Sequence, residues 1–66
     1  MHGQAAVSDD LKAGDELMRS LESRYADNEF ALYFLEHYWK ERDYFAARGG
    51  WTKNAKGLEA FIQSFL

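Results

Sequence analysis

Sixty-six residues are enough for one domain at most, and the absence of cysteine removes disulfides and thiolate metal sites as supports. With 47% hydrophobic residues, 17% aromatic residues and no proline, the chain is too apolar for intrinsic disorder. The net charge of −3 is unevenly placed: three basic against eight acidic residues over 1–39, five against two over 40–56, and Glu59 beyond.

That asymmetry has two readings. One end of the chain suits an anionic partner, or opposite ends of neighbouring protomers attract one another. A chain of this size buries only ~60% of its unfolded surface and is marginal alone. Self-association is therefore expected as the remaining support. The longest apolar run, Phe30 to Leu35, falls far short of the ~18 residues of a membrane span. The first ten residues lack the basic start and apolar core of a secretory signal. The expectation is a cytoplasmic protein with no membrane partner.

In chain order, residues 1–7 are small and polar without periodicity, and are expected to be a flexible N-terminus to a single helical domain over 8–66. Ser8 suits an N-cap, with Asp9 and Asp10 in the first turn where the helix dipole favours acids. Leu11, Gly14, Leu17, Met18, Leu21 and Tyr25 then recur at three- and four-residue steps. This predicts an amphipathic helix over about 9–26. Asp27 or Asn28 caps a second helix, with Glu29 in its first turn. One long kinked helix over 9–48 is the alternative at this point.

The second helix is expected over about 29–48, stopped by Gly49-Gly50. The stretch from Phe30 to Trp51 holds eight of the eleven aromatic residues. On a helical wheel Ala31, Phe34, Leu35, Tyr38, Arg42 and Phe45 share one sector about 100° wide, the core face, widened by Leu32, Trp39 and Ala46. Tyr33, His37, Tyr44 and Arg48 form a second stripe, with Phe30 and Glu41 beside it. Three short helices cover one face well and seldom two, so this excess reads as an interface. Thr52 or Asn54 caps a third helix over about 53–65, whose apolar positions are Ala55, Leu58, Phe61, Ile62, Phe65 and Leu66. The expected architecture is all-α, a small three-helix domain forming a homodimer.

The residue inventory argues against catalysis. None of the serines, at 8, 20, 23 and 64, has a histidine at helical spacing. His37 and Glu41, four residues apart, are half a metal site at most. Gly49-Gly50 lacks the strand context of a phosphate loop. No catalytic residue, metal or cofactor is assigned. The expected function is a non-enzymatic protein-interaction module, a regulator, inhibitor or adaptor, that binds itself and another protein through Tyr33, His37, Trp39, Tyr44, Arg48 and Trp51. Tyr, Trp and Arg are the types enriched at interface hot spots.

A nucleic-acid reading stands beside it. Lys40, Arg48, Lys53 and Lys56 surround a turn that carries Trp51, and cations interleaved with aromatics suit single strands. Trp51 equally suits a lid on the core at the start of the last helix. The order Leu35, Tyr38, Trp39, Gly50, Trp51, Lys53, Leu58, Phe61 and Phe65 resembles the C-terminal segment of DnaD-like and DnaT-like primosomal or phage replication proteins, over about half of the chain. That resemblance implies single-stranded DNA binding and contact with a replicative helicase.

Overall fold

A computed structural model describes the backbone of residues 2–66 and the side chains of residues 8–66. The described chain is all-helical, in four helices: α1 His2–Arg24, α2 Glu29–Lys40, α3 Arg42–Ala47 and α4 Trp51–Ser64. The expectation of a flexible segment over 1–7 falls on Met1 and on side chains outside the described residues. The backbone is helical from His2 onward, so Ser8 lies inside α1 and caps nothing. The run Gln4-Ala5-Ala6 offers good helix formers and no stop, which lets the helix begin ahead of Ser8.

Asn28 caps α2 as expected, its side-chain oxygen accepting from the Ala31 N–H at 3.0 Å. The first two helices are thus separate, and the long kinked alternative is excluded. The single helix expected over 29–48 is corrected to two. Glu41 adopts φ −104°, ψ 24° and breaks the helix there. No glycine or proline marks the break. What stabilises it is tertiary: beyond it Arg42 reaches Asp15 of α1, and Phe45 stacks on Tyr38 with ring centroids 4.3 Å apart. The last helix starts at Trp51, two residues before the expected 53.

The core is one cluster drawn from three helices: Met18 and Leu21 of α1, Ala31 and Leu35 of α2, and Trp51, Ala55, Leu58 and Ile62 of α4. The α4 members recur at four-, three- and four-residue steps, one narrow stripe of a helix. Phe61, Phe65 and Leu66, read from the sequence as apolar positions on the same face, are exposed. Phe34, Tyr38 and Phe45 are half-buried against the cluster, and Leu32 is exposed and does not widen it.

Trp51 is the largest fully buried side chain. Its ring lies against Gly14 of α1, where a methyl group would stand 2.7 Å from the indole Cγ. The indole Nε1–H donates to Asp15 Oδ1 at 2.7 Å. The same carboxylate accepts two bonds from Arg42, at 2.8 and 2.9 Å. One turn earlier, Asp10 accepts the backbone N–H of Trp51 at 2.6 Å and that of Thr52 at 3.3 Å. Thr52 in turn donates its hydroxyl to the Asp10 carbonyl at 2.9 Å. So α4 is capped by a carboxylate of another helix, and neither Thr52 nor Asn54 performs that role. Asn54 instead donates to the carbonyls of Phe45, Arg48 and Gly50, closing the α3–α4 turn. Gly50, at φ 94° and ψ 150°, holds a conformation that is essentially restricted to glycine.

Two outcomes test this arrangement. Replacing a mid-helix glycine by alanine ordinarily stabilises a helix by ~1 kcal/mol. At Gly14 the added methyl overpacks a buried ring, at a cost of ~1–3 kcal/mol and more where the backbone cannot shift. Gly14→Ala should therefore lower the melting temperature followed by circular dichroism; a rise would show that the close approach of α1 to Trp51 is not real.

The second outcome concerns acid. The Arg42 guanidinium holds the Asp15 carboxyl below the usual carboxylate range, outweighing the upward push of partial burial, and the Trp51 indole adds to it. For Asp10, partial burial pushes upward, and the donors of Trp51 and Thr52 together outweigh it. Both folded-state values are depressed, so the stability they contribute is fully present above the unfolded value of ~4 and is lost as pH falls below it. Melting temperature should hold steady from neutral pH to ~5 and drop below ~4. Asp15→Asn should be less stable at neutral pH and show a shallower acid drop.

Candidate interaction surface

The residues expected to form a site divide into two groups. Tyr33, His37, Tyr44 and Arg48 lie exposed along α2 and the α3 end, as a surface stripe. Arg48 rests over the Tyr44 ring, 4.1 Å from its centroid, and Tyr44 meets Phe45 edge-on. His37 sits edge-on to Tyr38 and Phe45 and shares a shallow depression with Tyr33, Glu36 and Lys40. Among the described residues no three His, Cys, Asp or Glu side chains come close enough to hold a metal ion.

Trp39 and Trp51 do not belong with that stripe. Trp51 is fully buried, so it offers no face to a partner protein or to a base, and its place in both candidate sites is corrected. Trp39 is half-buried, its ring tilted against Trp51 at 5.8 Å with the Arg19 guanidinium over it. Lys40, Arg48, Lys53 and Lys56 are all exposed. Among the described residues, the only exposed aromatic ring in 48–56 and close to their turn is Tyr44, already covered on one side by Arg48.

A second exposed apolar feature lies elsewhere. Phe34 meets Phe61 edge-on at 5.0 Å and Phe65 at 6.3 Å, so the first half of α2 lies beside the last half of α4. Trp39 meets Trp51 at the other ends, so the two helices are antiparallel. Between them Phe30, Phe34, Phe61 and Phe65 line a groove of about 330 Å³. Phe30 is 72% exposed, Tyr33 68%, Phe61 48% and Phe65 42%. At ~200 Å² per aromatic side chain, this leaves on the order of 450 Å² of ring surface in water on one face. Patches of that size mark interaction sites on small proteins.

Sequence reasoning had Phe30 beside the second stripe, placed Phe34 on the core face of the second helix, and read Phe61 and Phe65 as apolar positions on one face of the last helix. The signal that could have found the groove is the repeated Phe-x-x-x-Phe spacing at 30/34 and 61/65, which puts two rings on one turn-to-turn row of each helix. Comparison with family models, curated proteins and solved structures gives no match in any of the three.

Substitutions separate the buried from the exposed aromatics. Trp51→Ala removes a ring worth ~3–5 kcal/mol from a domain whose core supplies little more than that. It should abolish cooperative thermal unfolding. Tyr33→Ala and Tyr44→Ala should keep the helical signal and shift the melting temperature by less than ~8 °C, as expected for changes of ~1 kcal/mol or less in a domain this small. Loss of helix in either tyrosine variant would put those rings in the core.

Proposed function

We propose that this protein is a non-enzymatic helical interaction module whose working surface is the aromatic side of the α2–α4 pair. The observation that carries the reading is the open groove of four phenylalanines, with Tyr33 on its rim. A ring exposed to this extent lowers stability and solubility unless something covers it, and aromatic anchors dominate binding energy at interfaces. A regulator, inhibitor or adaptor role fits a small domain that offers an exposed aromatic surface.

Self-association is assigned to the neighbouring stripe of Tyr33, His37, Tyr44 and Arg48. There Lys40 and Arg48 alternate with Glu36, Glu41 and Asp43, so two copies can set unlike charges against one another. The nucleic-acid reading keeps its cations at Lys40, Arg48, Lys53 and Lys56, but loses Trp51 as a stacking platform and contends with a net charge of −3.

Two measurements test these readings. In sedimentation velocity at micromolar concentration the wild type should run as a dimer and Tyr44→Ala with Arg48→Glu as a monomer; a monomeric wild type removes the self-association. Proteins captured from host lysate by the wild type should be lost with Phe61→Ser and Phe65→Ser together; identical recovery would sink the interaction surface. Oligonucleotide binding in low salt that disappears with Lys53→Glu and Lys56→Glu would favour the replication-type reading.

A further inference from the structure

We infer that the phenylalanine groove takes an amphipathic helix with a basic polar face, supplied by another protein. The inference rests on the interaction reading above and names the chemistry of the partner.

The two walls of the groove differ. The α2 wall is aromatic and acidic. Phe30 and Phe34 face the groove, Tyr33 stands on its outer edge, and Glu29 and Glu36 lie beyond Tyr33 on the same side of the helix. Asp27 precedes them in the exposed turn. The α4 wall is low. Gly57, Ala60 and Ser64 recur along it beside Phe61, all exposed, and the space over Gly57 is open. A partner helix can rest its backbone close to that wall and push apolar side chains down among the four rings. This is the helix-in-groove mode, read by anchors at i, i+3 or i+4, and i+7.

Charge selects the occupant. Residues 25–39 and 57–66, which build this end of the molecule, contain no lysine or arginine and four acids: Asp27, Glu29, Glu36 and Glu59. Glu59 is paired with Arg24 at 2.5 Å. Among the described residues Asp27, Glu29 and Glu36 form no ion pair: Arg24, the nearest cation in the chain to Asp27 and Glu29, is held by Glu59, and Lys40, which shares a depression with Tyr33 and Glu36, lies one turn past Glu36 along the helix. Two grooves brought face to face would set these acids against their own copies. A helix with lysine or arginine flanking its apolar seam meets them as complements, which governs specificity and association rate.

The test is fluorescence anisotropy of the whole protein with three labelled synthetic helices of equal length. One has a leucine and phenylalanine seam with a lysine and arginine polar face, one has the same seam with a glutamate face, and one has the basic composition with the seam scrambled. The basic amphipathic helix should bind at least about tenfold tighter than either control, and more weakly as salt rises. Phe61→Ser with Phe65→Ser should abolish binding. Glu29→Lys with Glu36→Lys, changes at the exposed surface that leave the core intact, should reverse the preference toward the acidic helix. Equal binding of the acidic and basic helices, or full binding by the phenylalanine variant, overturns the inference. So does a wild-type dimer that the phenylalanine substitutions convert to monomer, since the occupant is then a second copy. Failure of all three helices while lysate capture still depends on Phe61 and Phe65 overturns the partner chemistry and leaves the interaction reading standing.

Discussion

The fold depends on one indole. Trp51 is the first residue of α4, it is fully buried, and it reaches α1 at a position where a side chain is missing, Gly14. Burying a ring of ~200 Å² at ~25 cal/mol per Å² is worth at most ~5 kcal/mol, comparable with the whole stability a domain of this size commands. The indole N–H would cancel part of that if left without an acceptor, and Asp15 supplies one. The same carboxylate holds Arg42 by two bonds, so α3 is fixed to α1 through the group that satisfies the tryptophan. Asp10, one turn earlier on α1, caps α4 where its own sequence provides only Gly50. Apolar fit brings α1 and α4 together, and two carboxylates fix their register.

This arrangement determines what is left for the surface. Arg42 is committed to Asp15 and Arg24 to Glu59, which takes two cations out of any patch. α3 bridges α2 and α4 at one end, through Phe45 on Tyr38 and the Phe45 carbonyl on Asn54. At the other end of the same two helices Phe34 meets Phe61 and Phe65 directly, and there Phe30, Phe61 and Phe65 lie exposed along the groove. The break at Glu41 therefore covers half of the α2–α4 seam and leaves the other half exposed.

Much of this was legible in the sequence. The periodicity of Met18, Leu21 and Ala55, Leu58, Ile62 was enough to give helices with the right faces, and Asn28 and Gly49-Gly50 marked two of the boundaries. The start of α1 was missed because Ser8 is a favourable cap that the chain does not use. The break at Glu41 was missed because nothing local encodes it: its stabilising contacts, Arg42 to Asp15 and Phe45 to Tyr38, pair residues that only the fold brings together. Asp10 and Asp15 read as ordinary acids on a helix for the same reason, since their partners lie 27 to 42 residues away. The stripe of Tyr33, His37, Tyr44 and Arg48 was legible because all four are exposed at helical spacing. Trp51 was ambiguous between lid and platform until Gly14 was seen to receive it.

The exposure of Phe61 and Phe65 has a geometric cause that also explains the groove. Around α4, with Ile62 as the origin, Trp51, Ala55 and Leu58 fall within about 40° of it, whereas Phe65 and Phe61 stand about 60° and 100° to one side. An apolar sector that wide looks like a single face in sequence, yet a neighbouring helix covers only the part directly opposite it. On α2 the buried Ala31 and Leu35 are likewise separated from Phe30 and Phe34 by about 60–140°. Both phenylalanine pairs lie on the flank that α1 does not reach, and because the helices are antiparallel the two flanks meet. A fourth full-length helix would complete a bundle at that position. The chain places there only the six residues of α3, at one end. The open half is thus an apolar groove of about 330 Å³, lined with rings from both helices and acidic on one rim, and the basic amphipathic helix proposed for it answers to that chemistry.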